Sequence, residues 1–195
     1  KESFVFKILL ISLFCFAAHA EEIDQMQNIY QLLSSKKEVK GTYRQEKNLK
    51  KLSLTLESSG QFEVQKDKLV WDQKKPIQIL FTMTQDKMSQ KAEDGKEEIF
   101  PKEKYPELQM FSGTMFCVMS GDLECVKKQF NIDNVVFEES TKEWSFDLEA
   151  KDQVIKKLIS RLSFSGAGSS LLKISWQENS DNSTEIYFKE GKGVE

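Results

Sequence analysis

Apolar and polar residues alternate along most of this chain, and a period of two is the mark of strands with one buried face. Leu52, Leu54 and Leu56 are separated by Ser53 and Thr55, and Phe62 and Val64 by Glu63. Leu69 and Trp71 close a short run, and Ile77, Ile79, Phe81 and Met83 continue the pattern. Turn-forming residues stand at Ser58-Ser59-Gly60, Lys66-Asp67-Lys68 and Asp72 to Pro76. The spacing predicts an antiparallel meander with strands at 40–48, 51–57, 60–66, 68–72 and 77–84, then a short strand over 88–91 before an Asp94-Gly95 turn. Alternation returns at 135–137, 144–148, 158–164, 171–176 and 185–188, with turns at Gly166-Ala167-Gly168 and at 179–182.

Two stretches follow helical spacing instead. In 22–35, Ile23, Met26, Ile29, Tyr30 and Leu33 fall on one face. In 106–130, Pro106 opens a helix whose apolar face carries Leu108, Phe111, Met115, Phe116 and Met119, and Asp122 caps a second short helix over 122–129. A single helical turn is expected over 152–157. The expected class is mainly β (α+β): about ten antiparallel strands in one domain with few helices. One face of such a sheet must be buried. Few helices cover it only if the sheet curls, so the expectation is a curled antiparallel sheet, or incomplete β-barrel, covered by short helices and enclosing an apolar space.

The N-terminus carries a different signal. Lys1 and Lys7 bracket a cationic start, Ile8 to Phe16 is apolar apart from Ser12 and Cys15, and Ala18-His19-Ala20 supplies small residues at the cleavage positions. This order predicts a signal peptide over 1–20, cleaved after Ala20, with the functional domain over 21–195. The apolar run falls short of the ~20 residues a spanning helix needs. Cys15 follows Phe14, whereas a lipid-attachment site would want a small residue there.

Composition removes several classes of function. His19 is the one histidine, and it leaves with the signal peptide. Serine and cysteine nucleophiles usually need a histidine base, and zinc sites usually use His or several Cys. Carboxylate pairs of the glycosidase kind remain open, but the acidic residues are scattered among lysines. No phosphate-cradling loop, calcium loop or nucleophile elbow is present. The expectation is a non-enzyme with no catalytic residue, metal or cofactor. A net charge of −3 lacks the cationic footprint of a nucleic-acid binder. Asn182-Ser183-Thr184 matches a glycosylation triplet but lies in a polar turn. Cys117 and Cys125 are an even pair; an oxidising compartment permits a disulfide between them, and two buried thiols are the alternative.

Several short motifs, in order, resemble one known family. Gly41-Thr42-Tyr43-Arg44-Gln45 is similar to its Gly/aromatic/Gln opening strand, and Ser59-Gly60-Gln61-Phe62 to its Ser-Gly-x-Phe/Leu strand. Leu69-Val70-Trp71 followed by Lys75-Pro76, then Gly121-Asp122-Leu123, Phe130, Trp144 to Leu148, and Thr184 to Phe188 continue the series. The set resembles the outer-membrane lipoprotein carrier family, LolA, and its divergent branch in particular. The resemblance implies a periplasmic, monomeric carrier that holds lipoprotein acyl chains, or another lipid, beneath a helical lid. It implies passage from an inner-membrane exporter to an outer-membrane acceptor, without catalysis. The family's carrier has an Arg-Pro step before the Trp segment, and Val64-Gln65-Lys66-Asp67 stands there in this chain, without Arg.

On this resemblance the cavity lining is Leu52, Leu54, Leu56, Phe62, Val64, Trp71, Ile79, Phe81 and Met83, and the lid is Met26, Ile29, Tyr30, Leu33, Phe111, Met115 and Phe116. Periodicity alone describes the same residues as packed core. A scaffold of the same fold with a filled interior and a protein partner is the alternative reading. An enzyme acting on envelope lipids or glycans is a third, and it would need polar groups converging in a pocket.

Overall fold

The alternating segments form strands, and every strand pairs antiparallel with its neighbours. The computed structural model describes residues 24–36, 38–65, 68–84, 87–101, 106–157, 159–178 and 180–191, without the side chains of 106–112, 154, 155 and 160. The expected signal peptide, the Lys66-Asp67 turn and the Phe111 side chain lie outside the described residues. Helix α1 covers 24–33. It is followed by β1 (Val39–Leu49), β2 (Leu54–Val64), β3 (Lys68–Lys75), β4 (Ile79–Thr84), β5 (Met88–Ala92) and β6 (Glu97–Phe100). Helices α2 (Pro106–Met119) and α3 (Leu123–Gln129) come next. The chain ends in β7 (Phe130–Phe137), β8 (Glu143–Ala150), α4 (Gln153–Lys156), β9 (Ile159–Ala167), β10 (Ser170–Glu178) and β11 (Ser183–Glu190).

The eleven described strands make one sheet in the order β6-β5-β4-β3-β2-β1-β11-β10-β9-β8-β7. Two meanders are thus joined through β1 and β11, with β6 and β7 left as unpaired edges. At ~4.8 Å per strand spacing, a flat sheet of this width would hold its edges about 50 Å apart. Strand twist makes a wide sheet coil. The segment from β6 to β7, which contains α2 and α3, connects one edge with the other. Its helices therefore cross the face of the sheet instead of flanking it.

Register fixes which side chains share that face. Val39, Gly41 and Tyr43 of β1 stand opposite Val64, Phe62 and Gly60 of β2. Phe62 and Val64 stand opposite Trp71 and Leu69 of β3, which in turn face Phe81 and Met83 of β4. In the other half, Trp144, Phe146 and Leu148 of β8 face Gly166, Phe164 and Leu162 of β9. The rings of Phe146 and Phe164 stack at 5.2 Å, and Tyr30 of α1 reaches to 6.0 Å from Phe146. These residues form one core cluster on the inner face, closed by α1 and α2.

Three expectations are corrected. Ser58-Ser59-Gly60 is not a turn, because β2 runs straight through it. Glycine serves close strand approach there: a Cβ at Gly60 would lie 2.0 Å from the Asp72 carbonyl oxygen. The chain reverses earlier, in a 3-10 turn at Lys50–Leu52 with Ser53 left-handed at φ 49°. Ile77 sits in the turn before β4 and is exposed, not in a strand. Finally, β7 begins at Phe130, five residues before the expected start. A bulge at Asn134 (φ 53°) moves the inward phase from Phe130 and Ile132 to Val135 and Phe137, which breaks the alternation. The acidic β6 was not foreseen.

Asp122 caps α3 as expected, accepting a hydrogen bond from the Cys125 amide at 2.9 Å. Cys117 at the end of α2 is bonded to Cys125 of α3, with Cα atoms 5.8 Å apart.

Gly60→Ala should lower stability by about 1–3 kcal/mol, since the added carbon meets backbone that cannot give way. Gly113→Ala in α2 meets no atom within 4 Å and should gain up to ~1 kcal/mol. Urea unfolding of the two variants beside the parent measures both. Replacing Cys117 and Cys125 by Ala should cost about 2–3 kcal/mol, from the entropy of a short closed loop. The same titration with and without reductant checks it, and reductant should change only the parent.

Candidate functional site

The inner face is sealed at one end and open at the other. Along β2 the same-face residues pass from Phe62 and Val64, each 3% exposed, to Leu56 and Leu54, 48% and 46% exposed. Between these ends the same face carries Gly60 and the buried Ser58 hydroxyl, so a covered apolar stretch and a partly covered one flank a polar step. At the sealed end, Phe62 meets Phe188 edge-on at 5.2 Å, and Trp71 lies 4.0 Å from Tyr43 and 5.9 Å from Phe188. Toward β4, Trp71, Ile79, Phe81 and Met83 are half-buried on the same face.

Eight of the nine expected lining residues therefore share one face: Leu54, Leu56, Phe62, Val64, Trp71, Ile79, Phe81 and Met83. The ninth, Leu52, stands in the 3-10 turn beyond the sheet and is 70% exposed. Of the expected lid, Met26, Ile29, Tyr30, Leu33 and Met115 are buried against this face and Phe116 is half-buried. The helices bring these residues together with Phe62 and Val64 in one cluster.

The sequence reading named only one wall. The other is made by Trp144, Phe146, Leu148, Leu162, Phe164, Ile174 and Ile186. Its signal was the same alternation, visible in 144–148 and 171–176. The inner face also carries polar residues that no local pattern reveals. Lys47 of β1 donates to Glu178 of β10 across 2.7 Å. Glu178 accepts further hydrogen bonds from Asn182 and Ser180, each at 3.1 Å. The bond from Lys47, above all, holds the Glu178 carboxyl below its usual range, against partial desolvation and with help from Asn182 and Ser180.

A groove of about 390 Å³ over β9, β10 and β11 is lined by Arg161, Ser163, Ser175, Trp176, Gln177, Ser183, Thr184 and Glu185, most of them on the outer face. Its Glu185 carboxylate accepts hydrogen bonds from Lys173 and from the Tyr187 hydroxyl. Among the described residues no group of His, Cys, Asp and Glu could hold a metal ion. No described helix is long and apolar enough to cross a membrane.

No family model matches the chain. No curated protein matches it either. Solved structures do resemble it. A DUF1329 family protein from Desulfovibrio piger aligns over 90% of this chain and 94% of its own, at 9% identity and TM-score 0.48. A domain described as an outer-membrane lipoprotein-sorting protein, from Vibrio parahaemolyticus, aligns over 87% and 93%, at 10% identity and TM-score 0.45. A LolA superfamily protein from Nitrosomonas europaea aligns over 87% and 94%, at 8% identity and TM-score 0.45. The last belongs to the family that the sequence motifs resemble. At this distance the likeness carries no residue role, and the functional reading rests on the inner face itself.

Helix α1 holds one group with a clear pH consequence. Tyr30 is 4% exposed and its hydroxyl has no hydrogen-bond partner. Burial, with the Asp122 carboxylate adding to it, pushes the phenol well above its ordinary value. The folded state thus keeps a proton that the unfolded chain loses above pH ~10, so this residue's contribution is intact below that pH and falls as pH rises further. Tyr30→Phe should leave stability at pH 7 unchanged or raise it by up to ~1 kcal/mol, since it removes an unsatisfied buried hydroxyl. The variant should also lose less stability than the parent between pH 9.5 and 11.5, roughly the span above the phenol's ordinary value. Thermal melts across that range read the difference.

Proposed function

We propose that this protein is a non-enzymatic carrier that binds the acyl chains of a lipoprotein, or of a related lipid, against its inner face beneath α1 and α2. The observation that carries the reading is the graded exposure of one apolar surface. A core built only for stability would cover Leu54 and Leu56, whereas a binding wall leaves room beside side chains that are already apolar. Phe81 lies beside Trp71 and Phe62 on the same face, so a chain entering past Leu56 and the Ser58 step meets hydrocarbon again at Phe62, Trp71 and Phe81.

At ~0.8 kcal/mol per buried CH₂, a sixteen-carbon chain would gain on the order of 12 kcal/mol, ample for tight binding. Met26, Met115 and Met83 around the cluster suit it to chains of different shape. The motif resemblance to the LolA family points the same way, and with it the periplasmic location, an exporter at the inner membrane and an acceptor at the outer membrane. The signal-peptide reading of residues 1–20 is consistent with that route. A monomer with no cofactor suffices for this task.

Mass spectrometry of organic extracts from protein secreted and purified without detergent should show a stoichiometric acylated molecule. The purified protein should also bind a fluorescent acyl probe. Phe81→Asp, on the half-buried wall, should weaken the probe at least ~10-fold, the cost of a charge in an apolar site. Val136→Asp, 57% exposed on β7 with outward-facing Ser145 as its partner, should leave binding unchanged. A clean extract together with no probe binding would favour the filled-core scaffold.

A further inference from the structure

Register draws a belt of polar side chains across the largely apolar inner face. Ser58 of β2 stands opposite Gln45 of β1. Lys47 of β1 stands between Leu56 of β2 and Thr184 of β11, and Thr184 faces Trp176 of β10. Glu178, two residues beyond Trp176, returns over the belt to accept the Lys47 hydrogen bond at 2.7 Å. The belt lies where the face changes from sealed to open, with Phe62 and Phe188 on one side and Leu54 on the other.

Two features of the belt point to a ligand. Thr184 is 1% exposed and its hydroxyl has no hydrogen-bond partner; the Ser58 hydroxyl is also buried without one. Buried hydroxyls left unsatisfied are costly, and hydrocarbon cannot satisfy them. The belt's charges also cancel, because Lys47 is already paired with Glu178.

We infer that this belt is the headgroup subsite of the acyl-binding face, and that it selects an uncharged ester or amide linkage over a free carboxylate. The inference rests on the carrier reading above and names the ligand class for it. Thr184 and Ser58 donate to carbonyl oxygens of the linkage. Lys47 has three donors, of which Glu178 takes one. A carboxylate placed beside Lys47 also meets the negative charge of Glu178 and must be desolvated against it. An ester or amide brings no charge and leaves the pair intact.

The test is displacement of a neutral probe, pyrenedecanol, from the purified protein by 1-oleoylglycerol and by oleate, below their aggregation concentrations. The glycerol ester should displace the probe at ~10-fold lower concentration than the anion, given the cost of placing like charges together in a partly desolvated site. Glu178→Gln should strengthen oleate about 10-fold and narrow the gap, because Lys47 then lacks its counter-charge. Thr184→Val should weaken the ester ~3- to 10-fold, the loss of one hydrogen bond, and leave oleate nearly unchanged. Equal displacement by both lipids, unaltered in both variants, or a preference for oleate in the parent, would overturn the subsite while leaving the carrier reading in place. Failure of the parent to bind pyrenedecanol at all would overturn both.

Discussion

Pairing of the first strand with the last, from Gly41 opposite Glu190 to Asn48 opposite Ser183, merges two meanders into one sheet. Without it the β1–β6 half and the β7–β11 half would each expose an edge at the centre of the molecule, and neither has helices enough to bury its own apolar face. The pairing sets the phase of both halves at once: with Tyr43 opposite Phe188 and Gln45 opposite Ile186, inward residues of β2 to β4 share a face with inward residues of β8 to β10. A slip of one residue would turn half of the core to solvent. The junction is fastened beyond the ladder by the ion pair of Lys36 with Glu190 and by the Gly191 amide donating to the Lys40 carbonyl at 3.1 Å.

Joining the halves at β1 and β11 also dictates where the helices go. It leaves β6 and β7 as the outer edges, and the chain must pass from one to the other. That passage contains α2 and α3, tied together by the Cys117–Cys125 bond, while α1 precedes β1 and packs Ile29 and Tyr30 against the same cluster. Helices α1, α2 and α3 cannot span eleven strands, so coverage is complete near Phe146 and Phe164 and only partial over Leu54 and Leu56. The open end is a consequence of topology before it is a functional feature.

The parts legible in the sequence were those set by local periodicity. Trp144 to Ala150 alternates without a break and is a strand over that whole length; Met26, Ile29, Tyr30 and Leu33 recur at helical spacing and all face the core; Asp122 caps the helix it precedes. The parts misread were those where a residue has two physical uses. Gly60 signals a turn, yet its missing side chain admits the Asp72 carbonyl in mid-strand. Asn134 breaks the alternation with a bulge, which hid the first half of β7. In the candidate site, the wall of β2 to β4 was legible because its leucines and aromatics alternate. Lys47 and Glu178, 131 residues apart, meet only through the register of three strands, and no local pattern foretells it.

Affinity and selectivity on such a face have different sources. Burial of hydrocarbon is non-directional and scales with the number of methylenes, so it holds any lipid of the same chain length about equally. Discrimination must come from the few polar groups the chain passes, through what each leaves unsatisfied when the wrong partner is bound. On this inner face Lys47, Glu178, Thr184 and Ser58 are gathered at the boundary between covered and uncovered surface, where on the proposed reading the ester or amide group of a ligand would sit. A neutral Lys47–Glu178 pair at that boundary would repel neither an acyl chain nor an ester, whereas a lone lysine there would draw in anions. On that reading the second charge is what would make the apolar wall selective.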